Sequence, residues 1–440
     1  MNMRSSTAGE GALRASDMPR AGFALRLSEV ALLAFLVLIF VGLSPFAPRD
    51  ASVLIGAEGA PTAGAGDLAR QLSFASVFAL IVFAALREKG VRAFAVVPPV
   101  LALLLAWCLV SASWSPEPGV TLRRAVLASV IVFSAIVSVS TVGATRSLQL
   151  WRWVLAAVLI VNWCSIALVH QAVHLAGDAE PQLVGDWRGL YFHKNIAGAV
   201  SAITALVFFF AAWDKRRLWD ALICVAAVVF TVMTRSKSSL LLLPIALAAG
   251  AIYRLAWRNA LDRLIATVVL GLMVVGAASF VLVDQDAVAR IFSDPEGFTG
   301  RSEIWQAELS YIRDHPYLGA GFGSFADTGA LSPLRNYMSS NWVGTVAHGH
   351  SAYLQLYVTI GGIGLALAVV ALIVLPLVGF WRGAATHVPQ LSMLFAIFVF
   401  MALHNFLESD FLEGDGPAWV AFLLMLAALR LTRGAKAVVP

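Results

Sequence analysis

Two histidines, His348 and His350, stand directly before a long apolar run in the segment AHGHSAYLQLYVTIGGIG (347–364). A free imidazole has a pKa of about 6.5 and can accept a proton at neutral pH. An imidazole beside clustered cations favours its neutral, basic form, which a general base for a hydroxyl group requires. The alternative is a hydrogen-bonded histidine at a membrane interface, and these residues alone do not decide between the two. Ser351 is in place to cap the helix that follows.

Basic residues in and beside short turns form the second group that could do chemistry. Arginine presents a planar fork of donors that matches phosphate oxygens, and helix N-termini near 195 and 301 would add oriented N–H groups. Such cations at the starts of separate helices would together hold one polyanion. For each single residue, the alternative is a solvated charge or an interface anchor. The residues in question are Arg124, Arg188, Lys194, Arg235, Lys237 and Arg301.

The composition indicates the medium in which these residues are held. The 440-residue chain is 60% hydrophobic and 13% charged, whereas soluble domains carry about 25% charged residues. Its three cysteines all lie in apolar runs, which supports neither a disulfide framework nor a metal cluster. A bilayer core needs about 20 apolar residues per helix. The predicted fold class is therefore an all-α polytopic membrane protein of about 12 transmembrane helices, near 28–46, 71–86, 94–113, 122–141, 152–170, 195–212, 218–233, 239–256, 264–283, 351–380, 391–407 and 417–432.

The placement of Lys and Arg in short loops predicts the orientation. With a cytoplasmic N-terminus, 19 of the 31 basic residues lie in inside segments, and 19 of the 26 acidic residues lie outside. The two biases agree, so we predict that both termini are cytoplasmic. The six cations named above are then on the outside face of the membrane, against the positive-inside bias. A pyrophosphate on a lipid carrier at the outer leaflet is the ligand that this arrangement favours.

One connection is much longer than the others. The predicted organisation is a disordered cytoplasmic N-terminus (1–27), spans one to nine (28–283), a large periplasmic loop (284–350), spans ten to twelve (351–432) and a cytoplasmic tail (433–440). Loops of this length are often functional. Within it, RSEIWQAELSYIRDHP (301–316) has helical spacing and a stop at Pro316. This helix either rests at the membrane interface or packs inside a small extracytoplasmic domain.

Two other polar stretches carry less weight. GAGFGS (319–324) is rich in glycine but lacks the lysine of a phosphate-binding loop, so we predict a plain tight turn rather than an anion cradle. The acidic stretch ESDFLEGDG (408–416) does not have the spacing of an EF-hand loop. We therefore predict an outside loop there rather than a calcium site.

Several motifs together resemble the bacterial O-antigen ligases and the related O-antigen and exopolysaccharide polymerases. His350 and Ser351 are followed by Gly361 and Gly364 at the spacing of that superfamily. The other similar stretches are TGRSEIW (299–305), HPYLGAGFGSF (315–325), the Trp-Ser-Pro turn at 114–116 and RGLYFHKNIAG (188–198). With about twelve spans and a long loop after the ninth, the resemblance covers most of the chain.

The resemblance implies a membrane glycosyltransferase that works at the periplasmic face of the bacterial inner membrane without a metal, nucleotide or other cofactor. Its implied partners are an undecaprenyl-diphosphate-linked glycan donor, a glycan or lipid A core acceptor, the lipid bilayer, and flippase, chain-length regulator or export proteins; nucleic acid is not expected. His350 matches the catalytic histidine of the superfamily. The residues assigned to the donor diphosphate are Arg188, Arg301, Arg235 and Lys194, with His348, Arg124 and Lys237 as supporting residues.

The implied reaction is an inverting displacement in which His350 accepts the proton of the acceptor hydroxyl or only positions the acceptor. The spacing after His350 fits the ligase pattern, whereas HKN (193–195) is closer to the exopolysaccharide polymerases, and we slightly favour a polymerase. A different class, a secondary transporter of polysaccharide or small molecules, also uses about twelve spans. Against it, the sequence has no obvious half-to-half repeat, and its charges gather at one face rather than inside the spans. A non-catalytic assembly subunit is a third alternative.

Overall fold

The computed structural model describes residues 26–47, 68–178, 181–256, 301–326, 328, 331–338, 349–382 and 388–434. Within these ranges the chain forms α-helices and short 3-10 turns, and the β-structure is one isolated bridge between Val173 and Trp187. The helices are α1 (Leu27–Phe40), α2 (Leu68–Lys89), α3 (Pro99–Val110), α4 (Pro118–Val142), α5 (Ala144–Leu168), α6 (Lys194–Lys215), α7 (Leu218–Met233), α8 (Lys237–Ala256), α9 (Arg301–Asp314), α10 (Ala352–Val369, continued to Trp381 through a π-helical turn), α11 (Val388–His404) and α12 (Pro417–Gly434).

Eleven of the twelve predicted spans coincide with helices, and the ninth (264–283) lies outside the described residues. Six of the described helical stretches are long and apolar enough to cross a membrane: Leu68–Val96, Pro118–Val142, Ala144–Leu168, Lys194–Lys215, Lys237–Ala256 and Ala352–Trp381. Five further apolar helices have 10–17 residues. An apolar medium favours helices because they satisfy every backbone hydrogen bond internally. The predicted all-helical membrane architecture is therefore confirmed, while twelve crossings and the periplasmic placement of the loop stay predictions.

Polar contacts at the two ends of α2 show how the bundle is ordered. Near its start, Arg70 Nη2 forms an ion pair with Asp415 Oδ1 at 2.5 Å, so this end of α2 meets the loop before α12. Near its end, Glu88 Oε2 accepts a hydrogen bond from Ser28 Oγ at 2.9 Å, so that end meets the start of α1. Segments predicted to lie outside thus contact one another at one end, and those predicted inside do so at the other. Which end faces the cytoplasm stays a prediction from the charge bias.

The tenth predicted span is a broken helix rather than a continuous one. Gly361, inside α10, has φ +69° and ψ −178°, which interrupts the helical backbone. The turn after α9 fills this break: Gly321 N–H donates to Thr359 O at 2.8 Å, and Gly362 N–H donates to Pro316 O at 2.9 Å. The predicted periplasmic loop is therefore hydrogen-bonded to the backbone of α10 three turns after His350.

Only glycine fits at position 361, for two separate reasons. Its positive φ is unfavourable for residues with a Cβ atom. In addition, a Cβ atom there would lie 2.0 Å from the carbonyl oxygen of Tyr317. The spacing from His350 to Gly361, which resembles that of the superfamily, therefore has a structural role. It sets the distance along α10 between the histidine and the place where the turn after α9 binds the helix.

Helix α9 packs inside a folded unit, as the second of the two predictions for it expects, while the extracytoplasmic location of that unit stays a prediction. Ile304, Trp305 and Tyr311 are 4%, 8% and 5% exposed. Trp305 Nε1 donates to Gly349 O at 2.7 Å, which ties α9 to the residue before His350. The buried cluster around this helix contains Ile304, Ala307, Tyr311, Ala320, Phe325, Ala326, Leu334, Met338 and Val358.

Candidate active site

His350 lies at the mouth of α10 in an uncommon backbone conformation. Its φ of +52° is in the left-handed region, which costs about 1–2 kcal/mol for a residue with a side chain. Ser351 occupies the predicted N-cap position, but its side chain makes no capping hydrogen bond. The N–H of Ala352 is instead bound by the carbonyl oxygens of Asn405 and Glu408, at 2.9 and 3.1 Å. The turn after α11 therefore holds the backbone that presents His350.

The carboxylate of Glu408 connects His350 to two other helices. Its Oε2 lies 3.5 Å from His350 Nδ1, and its Oε1 accepts from Asn195 Nδ2 at 2.9 Å and lies 3.5 Å from Ser238 Oγ. The Glu408 side chain is 10% exposed and that of His350 is 31% exposed. Asn195 and Ser238 belong to the first turns of α6 and α8. The starts of three helices thus converge on one buried carboxylate beside one accessible imidazole.

This geometry has a direct chemical consequence for His350. A carboxylate at Nδ1 favours the tautomer with its proton on that nitrogen, so that Nε2 keeps a lone pair for accepting a proton. The same carboxylate stabilises the imidazolium that forms after proton transfer. The separation of 3.5 Å is long for a hydrogen bond, as is common for catalytic pairs before substrate binds. His350 and Glu408 together can therefore act as a base and the carboxylate that orients it.

Three charged residues form a cationic group near the start of α6. Asp186 Oδ2 binds Lys194 Nζ at 2.6 Å, and Asp186 Oδ1 binds Arg235 Nη1 at 3.3 Å. The Asp186 side chain is 4% exposed, whereas that of Arg235 is 71% exposed. Lys237, another predicted site residue, is exposed at the start of α8. One carboxylate facing two cations leaves an excess of positive charge, as a site for an anion needs.

Arg188 is buried, whereas a residue that contacts an anion at the protein surface is expected to be exposed. It is 1% exposed. Its Nη1 donates to the backbone carbonyls of Ala47 at 3.0 Å, Tyr191 at 3.1 Å and Phe192 at 3.3 Å. In this conformation Arg188 holds the turn that leads into α6. Its predicted contact with a diphosphate stays a prediction.

Arg124 also binds the backbone, in the glycine-rich turn. Its Nη1 donates to the carbonyl oxygen of Gly323. The N–H groups of Ala320, Gly321 and Phe322 all donate to acceptors elsewhere in the chain. These three N–H groups are therefore not available to an anion, which supports the prediction of a plain tight turn at 319–324.

The remaining two predicted site residues are only partly covered by the structure. Arg301 is the first residue of α9, as the sequence predicts, and its side chain is outside the described part of the chain. His348 lies outside the described residues altogether. Their assignments to the site stay predictions.

Sequence reasoning missed two acidic residues, Glu408 and Asp186. The sequence predicts an outside loop without a ligand for the stretch that contains Glu408, and its motifs do not single out Asp186. A signal for Glu408 was present, because it follows the eleventh span on the same face as His350, but its contact depends on how distant helices pack. Among the described residues, no group of three or more His, Cys, Asp and Glu side chains is placed to hold a metal ion.

Apolar helices that carry a pair of His350 and Glu408 side chains at one end of the bundle define the class, a multi-pass membrane protein. Residues 221–369 match the family model described as O-antigen ligase, which confirms the predicted resemblance to the O-antigen ligase and polymerase superfamily. The match supports a function in membrane glycan transfer with lipid-linked and glycan substrates. His350 and Arg235 fall inside the matched range, and Glu408 falls outside it. No curated protein matches the chain.

Proposed function

We propose that this protein is a glycosyltransferase that joins glycan units from an undecaprenyl-diphosphate-linked donor at the periplasmic face of the bacterial inner membrane, in the manner of an exopolysaccharide or O-antigen polymerase. The contact between His350 and Glu408, where the starts of α6, α8 and α10 meet, is the observation that carries the proposal. In the proposal this contact orients His350 as the base, and His350 lies in the part of the chain that matches a glycan-transfer family.

In the proposed reaction, His350 Nε2 takes the proton of the acceptor hydroxyl while the hydroxyl oxygen attacks the anomeric carbon of the donor sugar. The bond between that carbon and the diphosphate oxygen breaks on the opposite face, so the anomeric configuration inverts. The bonding electrons leave with the diphosphate, and the imidazolium gives up its proton to solvent water before the next cycle. Glu408 holds the imidazole in orientation and offsets its transient positive charge.

The cations near the site would stabilise the departing diphosphate. Electrostatic stabilisation of developing charge is usually the largest single contribution to such a reaction. Arg235 has the exposure that this role requires, and Asp186 fixes its direction together with that of Lys194. The donor-binding set that we propose is Arg188, Arg301, Arg235 and Lys194, supported by His348, Arg124 and Lys237.

A ligase that transfers finished glycan to lipid A core is the second candidate function. The family description and the spacing after His350 favour it. The two reactions share the donor and differ in the acceptor, so a deletion strain separates them. Loss of polymer from the medium would support the polymerase, whereas loss of O-antigen from lipid A would support the ligase.

The decisive experiment is glycan transfer from lipid-linked donor by the purified, reconstituted protein. His350→Ala should lower the rate by about 10²–10⁴-fold, the usual contribution of a general base. The matched control is His170→Ala, because His170 is exposed just after the end of α5 and does not belong to the candidate site. Near-full activity of His350→Ala, in protein that inserts normally, would overturn the proposal.

A further inference from the structure

The turn after α11 is organised by a buried histidine and a buried asparagine. His404 is 1% exposed, and its Nδ1 lies 2.7 Å from Asp410 Oδ2. Asn405 is 0% exposed, and its Oδ1 accepts the N–H groups of Asp410 at 3.0 Å and Phe411 at 2.8 Å. These contacts close residues 404–411 into one hydrogen-bonded unit, which we call the acid turn.

The acid turn reaches the candidate base in two ways. Its backbone carbonyls, those of Asn405 and Glu408, bind the N–H of Ala352 and so hold the first residue of α10. Its Glu408 side chain lies against His350 Nδ1. The N–H of Glu408 is itself bound by the carbonyl oxygen of His404 at 2.9 Å. The position of Glu408 relative to His350 is therefore set by the conformation of this turn.

The pair of His404 and Asp410 is more than a space-filling contact. The buried His404 side chain, 1% exposed, pairs with an Asp410 side chain that is 15% exposed, so this contact fixes the imidazole ring relative to the Asp410 carboxyl. His404 has a second polar neighbour, because its Nε2 lies 3.5 Å from Ser239 Oγ in the first turn of α8. The adjacent Ser238 Oγ lies 3.5 Å from Glu408 Oε1. His404 thus connects the acid turn to the same helix start that contacts Glu408.

We propose that His404 and Asp410 are positioning residues that hold Glu408 against Nδ1 of His350. Neither contacts the substrate: they act through Glu408, and Glu408 acts on the imidazole. This inference rests on the proposed function, in which His350 Nε2 is the proton acceptor. It adds that the orientation of the base depends on a second histidine 54 positions further along the chain.

A double-mutant cycle tests whether Asp410 acts through Glu408. The variants are Asp410→Asn, Glu408→Gln and the two combined, assayed for kcat and for KM of the lipid-linked donor. By analogy with residues that orient a functional histidine, Asp410→Asn alone should lower kcat by about 10–100-fold, with the donor KM unchanged. In the Glu408→Gln background the same change should lower kcat by less than about threefold, because the carboxylate that it positions is already lost. Both single variants should shift the acidic limb of the pH–rate profile in the same direction.

Asp415→Asn is the matched control, because Asp415 lies in the same acidic stretch but pairs with Arg70. It should leave kcat and the pH–rate profile unchanged. Thermal unfolding followed by tryptophan fluorescence identifies variants that fail to fold. If Asp410→Asn is one of them, His404→Gln, which keeps an amide donor for Asp410, takes its place in the cycle.

Two results would overturn the inference. The first is a loss of kcat on Asp410→Asn that is as large in the Glu408→Gln background as in the wild type. The second is an unchanged kcat for folded Asp410→Asn and His404→Gln. If His350→Ala is inactive in the same assay, these results refute only the positioning role. If His350→Ala is active, the proposed function itself fails.

Discussion

Glu308 offers a quantitative test of how α9 packs beside the candidate site. Its side chain is 0% exposed, and within the described residues neither carboxyl oxygen has a hydrogen-bond partner. A Cβ atom on Gly349 would come within 2.0 Å of Glu308 Oε1, so the carboxyl lies directly against the residue before His350. Burial raises the pKa of Glu308 from 4.5 to about 8. Replacing this carboxyl by a neutral amide should therefore change the pH dependence of stability.

The sign and size follow from the difference in proton binding. Between pH 4.5 and about 8 the unfolded chain has lost this proton while the folded protein keeps it, so stability falls as the pH rises through this window. At 1.36 kcal/mol per pKa unit, the ionisable carboxyl lowers the free energy of unfolding by about 3 kcal/mol at pH 7 and by about 5 kcal/mol above pH 8. Glu308→Gln removes this contribution and leaves a neutral side chain of the same shape.

The assay is unfolding in detergent micelles between pH 5 and pH 9, followed by tryptophan fluorescence. We expect wild-type stability to fall with rising pH and the curve of Glu308→Gln to be flatter. Glu303→Gln is the control, since Glu303 lies on the same helix with partial exposure, and its curve should follow the wild type. Identical pH dependence of Glu308→Gln and the wild type would refute the reasoning, because it would mean that the carboxyl is solvated or paired.

Three further predictions test the loop and its docking. Arg301→Lys should raise the donor KM by about tenfold, or about 1.4 kcal/mol, because an ammonium cannot replace a bidentate guanidinium; unchanged transfer kinetics would mean that Arg301 only positions the loop. Gly361→Ala should lower the free energy of unfolding by more than about 1–2 kcal/mol, since its new Cβ would meet Tyr317. Gly177→Ala, where nothing lies within 4 Å, is its control in the same unfolding assay, and equal stability of the two variants would contradict the docked turn. A topology reporter fused after Asp327 should report a periplasmic location. A cytoplasmic location of the reporter would contradict the proposed placement of the site.

The break in α10 links the packing of the loop to the proposed chemistry. Gly361 allows the turn after α9 to form backbone hydrogen bonds with the interrupted helix. The side chain of Trp305 binds the carbonyl oxygen of Gly349 and so ties α9 to the residue before His350. His350 therefore lies between two docking points of the same loop. A displacement of α9 would be passed to His350 through Gly349 alone. Mutations that move α9 are therefore expected to change the position of His350 as well.

The sequence by itself determined the properties that depend on local pattern. Apolar runs of membrane length predict where the described helices lie, because a helix in an apolar medium is specified by its own residues. The start of α9 at Arg301, the tight turn at 319–324 and the family-like spacing from His350 to Gly361 were all readable in the same way. Each depends on residues that are close together in the chain.

Only the tertiary structure decided which side chains meet. Glu408 contacts His350, Asn195 and Ser238 at the starts of three different helices, whereas the sequence predicts a loop without a ligand for its stretch. Arg188 is buried and donates to backbone carbonyls, which the sequence does not reveal, and its contact with a diphosphate stays a prediction. Such outcomes depend on the packing of helices that are up to hundreds of residues apart, and neither hydropathy nor charge counting contains that information. The candidate base could thus be proposed from the sequence, whereas its carboxylate neighbour became visible only once the helix ends were brought together.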